Sequence, residues 1–178
     1  MIRRPIMMTI MALILLSFTV TMLISIHASK RTGSLQLQRS ISLPTYDLPT
    51  IDGKLSLNLN HKYKGKKWVL HIMASWCPYC VDEISVLYHF RDSVRIPVVL
   101  LAYKENDFQK LHRLIKKYPG VFTDIMRDDD GLFAIDLGSS GVPTTLVINS
   151  EGKVEKVWNQ RFTDDNIQEL IEYAHANN

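Results

Sequence analysis

Two cysteines, the only two in 178 residues, stand three positions apart in the segment Trp76-Cys77-Pro78-Tyr79-Cys80. The run before them, from Lys67 to Ala74, is apolar and strand-like, and the run after them repeats apolar residues at helical spacing. The pair therefore marks the point where a buried strand passes into an amphipathic helix. We interpret the rest of the chain as the segments that hold the cysteine pair in place and deliver it to its compartment.

A cysteine at the head of a helix is well placed for nucleophilic chemistry. The first helical turn has unpaired N–H groups and the positive end of the helix dipole, and both favour thiolate over thiol at Cys77. We expect the Cys77 pKa to lie below the ~8.5 of an ordinary cysteine. A thiolate with a second thiol one turn away can attack a disulfide and be released when Cys80 resolves the mixed disulfide. The pattern predicts thiol-disulfide exchange.

Other interpretations of the cysteine pair are weaker. A closed zinc site needs about four ligands, whereas the six histidines are scattered and there is no second cysteine pair. A purely structural disulfide would close a very short loop and add little stability. A copper-binding module is a further alternative, because thiolates suit Cu(I) and methionines such as Met73 lie nearby. Met73 falls in the predicted strand, however, where methionine usually fills the core. We predict no metal site and no cofactor.

The N-terminal segment is predicted to be a membrane anchor over residues 1–28. Pro5 to Ile26 is a 22-residue stretch without a charged side chain, and Arg3 and Arg4 precede it. The stretch is long enough to cross a bilayer, and the basic residues ahead of it place the following domain outside the cytoplasm. The alternative is a cleaved signal peptide, for which Ile26-His27-Ala28 is a poor cleavage site. In both cases the domain is exported, and its cysteines lie in an oxidising compartment.

Length and charge fit one exported domain. Residues 29–44 are polar and predict a flexible linker, and residues 45–178 are long enough for one domain with a hydrophobic core. The formal charge of +3 falls to about +1 when Arg3 and Arg4 are set aside. A nearly neutral domain gives no reason to expect a nucleic-acid partner.

The patterning of the domain predicts an α/β fold. Alternating residues around Asp52-Gly53 predict an N-terminal β-hairpin within residues 46–59. Strand, active-site helix and strand over residues 68–102 predict a parallel crossover unit. The remaining predictions are a helix at 106–117, a strand near 122–125, a helix near 132–136, a hairpin at 144–158 and a helix at 163–176.

This order of elements, with Cys-x-x-Cys at the first strand-to-helix junction, resembles the thioredoxin fold. Such a fold has a central mixed sheet flanked by helices, here with an extra N-terminal hairpin behind a transmembrane helix. A closer resemblance is carried by three segments: Met73 to Glu83, Asp128 to Gly138, and Gly141-Val142-Pro143-Thr144-Thr145. Together they are similar to the membrane-anchored DsbE/CcmG thioredoxins of cytochrome c maturation, within the TlpA/ResA group.

The resemblance implies a reductase anchored in the bacterial inner membrane with its domain in the periplasm. In this family a membrane donor of the DsbD/CcdA type keeps the cysteine pair reduced, and the pair reduces apocytochrome c thiols before haem attachment. By position, Cys77 is the attacking thiolate, Cys80 the resolving thiol and Pro143 a proline that faces the pair.

The resemblance also implies a surface for the client protein. Trp76, Pro78 and Tyr79 would contact the client directly. If the Val142-Pro143 bond is cis, the Val142 backbone is open to pair with an extended client segment beside Cys77. The alternative is an ordinary trans proline at the start of a strand.

Two polar residues near the pair have open roles. The resemblance places Glu83 by the cysteines, where a partly buried carboxylate could exchange protons with a thiol; the alternative is a first-turn glutamate that favours the helix dipole. His71 lies six residues before Cys77, where thioredoxins have a buried Asp and this family commonly Asn. His71 could accept a proton from Cys80, or it could simply be a hydrogen-bonded core histidine.

The proline loop departs from the family at one position. Thr144 follows the proline, where the family's Gly-Ala-Pro-Glu version has glutamate. A TlpA-like thiol-disulfide protein with other exported clients is therefore the alternative to a cytochrome c reductase.

Overall fold

The computed structural model describes residues 12–22 and 41–176, and the chain divides into two compact units, Met1–Arg39 and Ser40–Asn178. In the first unit, residues 12–22 are helical. Within the described ranges, no helix combines the length and apolar character needed to cross a bilayer. Most of the predicted anchor, and all of the predicted linker before residue 41, lie outside the described residues.

A five-stranded mixed sheet forms the centre of the second unit. Its strands are β3 (Trp68–Met73), β4 (Val98–Tyr103), β5 (Asp124–Asp128), β6 (Thr144–Ile148) and β7 (Val154–Trp158). Their order across the sheet is β5-β4-β3-β6-β7. β3 pairs in parallel with β4 and antiparallel with β6. The predicted crossover unit and C-terminal hairpin are confirmed, although β5 lies further along the chain than the predicted strand.

The N-terminal hairpin is present but short. It consists of β1 (Leu48–Pro49) and β2 (Ser56–Leu57), which are antiparallel, and Gly53 in the connecting turn has a φ of 67°. The predicted second strand extended to residue 59, and this prediction is wrong at its end. The Asn58 side chain accepts a hydrogen bond from the His61 N–H and so starts a helix at Leu59.

Helices cover both faces of the sheet. They are α1 (Leu59–Lys62), α2 (Pro78–Val94), α3 (Phe108–Lys116), α4 (Leu132–Asp136) and α5 (Ile167–His175). The helix α1 was not predicted, because four residues are too few to show a helical period. The last helix begins later than predicted, since residues 163–166 form a turn in which the Thr163 carbonyl accepts from the Ile167 N–H at 3.0 Å.

Strand β3 is buried at every position, as expected for a central strand covered on both faces. Trp68, Leu70 and Ile72 pack in a cluster that contains residues of α4. On the opposite face, Met73 packs with Cys80 and Ile84 of α2. Because α2 follows β3 directly, this packing holds the first turn of α2 at the carboxyl end of the central strand.

Candidate active site

Cys77 occupies the N-cap position of α2, and Pro78 stands at the start of the helix. The sulfur of Cys77 accepts a hydrogen bond from the Cys80 N–H at 3.3 Å. The two cysteines form a disulfide with a Cα–Cα distance of 5.3 Å. Cys80 is fully buried, whereas Cys77 keeps 5% of its surface exposed. The Cys80 N–H thus points at the more exposed of the two sulfurs, which favours a thiolate there once the disulfide is reduced.

The proline loop lies against this disulfide. The Val142-Pro143 bond is cis, as the resemblance implied. The Val142 carbonyl oxygen is 3.8 Å from the Cys77 sulfur. The loop therefore brings main-chain hydrogen-bonding groups next to the reactive sulfur.

Hydroxyl groups that the sequence analysis missed hold this loop in place. Thr144 Oγ donates a hydrogen bond to the Gly141 carbonyl at 2.7 Å and lies 3.0 Å from Asn159 Oδ1. Ser139 Oγ donates to the same Gly141 carbonyl at 2.9 Å. No spacing rule could have grouped these residues, since Asn159 belongs to the segment after β7.

The side chains expected to meet a client surround the pair. Trp76 and Tyr79 are 43% and 64% exposed, large fractions for aromatic residues. Pro78 is exposed and Val142 is partly buried. Arg161, which was not predicted, lies with its guanidinium carbon 5.8 Å from the Tyr79 ring centroid and pairs with Asp82 at 3.2 Å.

Glu83 points into the core. Its side chain is fully buried, and neither carboxylate oxygen has a hydrogen-bond partner among residues 12–22 and 41–176. Burial raises the pKa of Glu83 to about 8. The Phe162 backbone and the positive charge of Arg161 lower this pKa, but by less than burial raises it. The alternative of a first-turn glutamate is wrong, because the first turn of α2 contains no acidic residue.

His71 is also fully buried, on β3. Its Nδ1 lies 3.0 Å from the hydroxyl of Thr145, the residue directly opposite on β6. Nε2 has no partner in the described part of the chain, and the ring stacks on Phe122 with centroids 6.0 Å apart. Burial lowers the pKa of His71 to about 4, so the imidazole is neutral at pH 7.

His71 and Glu83 share one side of the sheet with the buried cysteine. Side chains alternate along a strand, so His71 faces the same way as Met73, which packs on α2. Glu83 follows Cys80 by three residues and therefore lies on the same side of α2. Two neutral titratable groups with polar atoms unpaired among the described residues thus lie on the same side of the sheet as Cys80.

Metal ligands are not grouped in the part of the chain that the structure describes: it contains no cluster of three or more His, Cys, Asp or Glu side chains that could hold an ion. Met73, considered above as a copper ligand, is fully buried in the core.

Comparison with known proteins gives consistent family matches. A family model described as Redoxin matches residues 39–171. The chain is 33% identical over 134 residues to the thiol:disulfide interchange protein DsbE of Xylella fastidiosa strain Temecula1, covering 73% of this chain and 64% of that protein. It is 28% identical over 130 residues to the sporulation thiol-disulfide oxidoreductase A of Bacillus subtilis, covering 70% and 76%. The chain thus spans slightly less than two thirds of the Xylella relative.

The fold is also similar to solved structures. A secreted Mycobacterium tuberculosis disulfide oxidoreductase, described as homologous to Escherichia coli DsbE, superposes with a TM-score of 0.61 at 19% identity, covering 72% of this chain and 96% of that one. This similarity establishes a thioredoxin-like fold. The chain belongs to the redoxin family, whose model matches residues 39–171, and it is similar there to proteins named as thiol-disulfide oxidoreductases.

Proposed function

We propose that the protein is a membrane-anchored periplasmic thiol-disulfide oxidoreductase that reduces apocytochrome c thiols during cytochrome c maturation. The observation that carries the redox part is the Cys77–Cys80 disulfide at the head of α2, 3.8 Å from the Val142 carbonyl oxygen. The assignment of the client rests on the similarity to the DsbE/CcmG proteins.

The reaction proceeds in two exchange steps. The Cys77 thiolate attacks one sulfur of a client disulfide, and the other client sulfur leaves as a thiolate and takes up a proton. The Cys80 thiol then loses its proton and attacks the Cys77 sulfur, which releases the second client sulfur as a thiol. Two electrons pass to the client, and the pair ends as the disulfide present in the structure.

Glu83 is proposed to take part in the proton transfers of the second step. With a pKa of about 8, Glu83 is mostly protonated at pH 7, and the ionised minority can accept the Cys80 proton and later return it. Because the protonated form prevails, Glu83 adds little negative charge beside the thiolate. His71 is the second candidate acceptor, since its Nε2 has no partner within the described residues.

The client is proposed to bind as an extended segment along the proline loop. The Val142 backbone would pair with the client, in the manner of an added strand. Trp76 and Tyr79 would flank it, because exposed aromatic rings supply large contact areas at low entropic cost.

The anchor and the electron donor are further parts of the proposal. The uncharged stretch from Pro5 to Ile26 supports membrane attachment. Full-length protein should sediment with membranes and resist alkaline carbonate extraction; release into the soluble fraction would contradict the anchor.

A DsbD/CcdA-type donor should keep the pair reduced, so deleting it should leave Cys77 and Cys80 fully oxidised when thiols are alkylated in living cells.

Deletion of the gene tests the client. We expect covalent haem to disappear from c-type cytochromes and to return on expression of the wild-type chain or on addition of a small dithiol. A Cys77→Ser chain should not restore it. Normal cytochromes in the deletion strain would contradict the assignment to cytochrome c maturation.

A thiol-disulfide protein with other exported clients is the second candidate. The observation that favours it is Thr144, which is 1% exposed and turns its hydroxyl inward to Gly141 and Asn159. The position after the proline thus offers no carboxylate to a client. Normal cytochromes together with other exported proteins trapped as disulfides would support this candidate.

A further inference from the structure

One carboxylate holds the backbone immediately before Cys77. The Ser75 N–H donates a hydrogen bond to Glu105 Oε2 at 2.6 Å, and Ser75 Oγ donates to Oε1 at 2.9 Å. Oε1 also accepts the N–H groups of Asn106 and Asp107, each at 2.9 Å. Ser75 and Glu105 are 1% and 8% exposed. Four donors around one buried side chain are the pattern of an ionised carboxylate.

The residue before Glu105 holds the next position of the cysteine loop. The Trp76 indole N–H donates to the Lys104 carbonyl at 3.0 Å. The Lys104 N–H in turn donates to the Asp128 carbonyl on β5 at 2.9 Å. The two residues that precede Cys77 are therefore fixed to the end of β4 as well as to their own strand.

Glu105 has no cationic partner in the part of the chain that the structure describes. It takes part in none of the ion pairs formed within residues 12–22 and 41–176. Hydrogen bonds from neutral donors satisfy the carboxylate but leave its net charge in place, and at a buried position water screens that charge weakly.

We propose that Glu105 is a positioning residue for the exchange reaction, fixing Ser75 and Trp76 so that the Cys77 sulfur stays at the head of α2, and that its charge disfavours the Cys77 thiolate. The proposal deepens the proposed function and rests on it. A negative charge held against Ser75, two residues before Cys77, opposes the effect of the helix terminus on the thiolate. A less stabilised thiolate makes the dithiol less stable relative to the disulfide, so Glu105 makes the pair a stronger reductant.

Neutralising Glu105 with little change of shape tests this role. The full-length Glu105→Gln protein should show a Cys77 thiol pKa lower by about half a unit, measured from the pH dependence of alkylation. Its equilibrium with glutathione should shift about twofold toward the dithiol. The other titratable groups around the pair, which are His71, Asp82, Glu83, Lys104 and Arg161, are unchanged in this variant.

Asp107→Asn is the matched control. Asp107 is an exposed carboxylate two residues away whose Oδ1 accepts the Lys110 N–H at 2.8 Å, and asparagine caps a helix equally well. The thiol pKa and the glutathione equilibrium should equal those of the wild type. Equal changes in both variants, or no fall of the thiol pKa in Glu105→Gln, overturn the proposal.

Ser75→Ala separates the charge from the fixing of the loop. It removes one of the four donors to the Glu105 carboxylate but retains the carboxylate itself. With one hydrogen bond fewer to offset its negative charge, the carboxylate should raise the Cys77 pKa slightly. A fall equal to that of Glu105→Gln would mean that loosening the loop is the cause, which overturns the role of the charge. If Glu105→Gln does not fold, this variant decides: a rise supports the proposal, and an unchanged or lower value overturns it. The thiol pKa and the glutathione equilibrium are properties of the cysteine pair itself. Their outcome therefore tests the role of Glu105 even if the protein's client is not cytochrome c.

Discussion

At the residue scale, Glu83 and His71 are buried polar groups whose pKa values move in opposite directions for the same reason. Removal from water disfavours the charged form of each, so the carboxyl pKa rises and the imidazole pKa falls. Both are neutral at pH 7, and each has at least one polar atom without a partner in the described part of the chain. Such atoms reduce stability, and the proton transfer with Cys80 proposed above would give both residues a function.

Replacing Glu83 by Gln should remove an alkaline loss of stability. In the folded protein the Glu83 pKa is raised from 4.5 to about 8, so between these pH values the folded state binds more protons than the unfolded state, and stability falls as pH rises. At about 1.4 kcal/mol per pKa unit, the variant should gain up to ~5 kcal/mol over the wild type by pH 8. Urea unfolding of the disulfide forms from pH 4.5 to 8 measures the difference.

The control is Glu172→Gln, which changes an exposed carboxylate on α5. Its stability curve should follow that of the wild type. Parallel curves for wild type and Glu83→Gln would show that Glu83 does not titrate as its burial requires.

Replacing His71 by Asn should remove an acid loss of stability. The His71 pKa is lowered from 6.5 to about 4 in the folded state, so there the folded state binds fewer protons, and stability falls as pH drops from 6.5 to 4. The wild type should lose ~3 kcal/mol relative to the variant across this window. Exposed His89 on α2, changed to Asn, is the control. An equal loss in wild type and His71→Asn would contradict the prediction.

Sequence analysis predicted the reactive residues because they are close in the chain. Cys77 and Cys80 are three residues apart, and their spacing alone indicates redox chemistry. Glu105 bonds to Ser75 across 30 positions, and an isolated glutamate after a strand has no distinguishing pattern. The burial of Glu83 was likewise undecided until the start of α2 was known.

At the scale of elements, the short helix α4 is held by Asp128 at the end of β5. Asp128 Oδ1 accepts the Phe133 N–H at 3.2 Å, and Oδ2 accepts the Ala134 N–H at 2.9 Å. The side chain is buried, and this burial raises the pKa of Asp128. Since the Asp128 carbonyl also accepts the Lys104 N–H, the segment connects α4 to the loop beside Trp76.

Asp128→Ala should destabilise the protein by about 1–3 kcal/mol, because two buried N–H groups lose their acceptor. Asp129→Ala is the control: Asp129 is half-exposed and pairs with Arg127 at 2.8 Å, and such surface pairs contribute at most about 1 kcal/mol. Thermal and urea unfolding of both variants gives the comparison. Equal losses would mean that Asp128 does not cap α4.

Elements with a clear hydrophobic period were predicted, and short ones were not. The strands β3, β4 and β6 are apolar runs, and α2 and α3 show helical spacing, so their places in the chain follow from the sequence. Helix α1 and the start of α5 depend on local turns at Asn58 and Thr163. A single hydrogen bond determines where each of these helices begins, and the hydrophobic pattern of the sequence carries no information about such a bond.

At the scale of the whole molecule, the chain brings three distant segments to one end of the sheet. The carboxyl end of β3 carries Cys77, the start of β6 carries the proline loop, and the end of β4 carries Glu105. These strands are adjacent in the order β4-β3-β6, so their ends meet although 66 positions separate Cys77 from Pro143. The crossover rule predicts the β3 and β4 pairing, whereas placing β6 beside β3 required the resemblance to a known fold.

Trapping of mixed disulfides tests the central claim, that Cys77 exchanges disulfides with clients and Cys80 resolves the product. In cells that express the full-length Cys80→Ser chain, we expect covalent adducts that a reductant releases and that contain c-type apocytochromes. A chain that carries both Cys77→Ser and Cys80→Ser should form none. The absence of adducts in the single variant, or the same adducts in the double variant, would contradict the account.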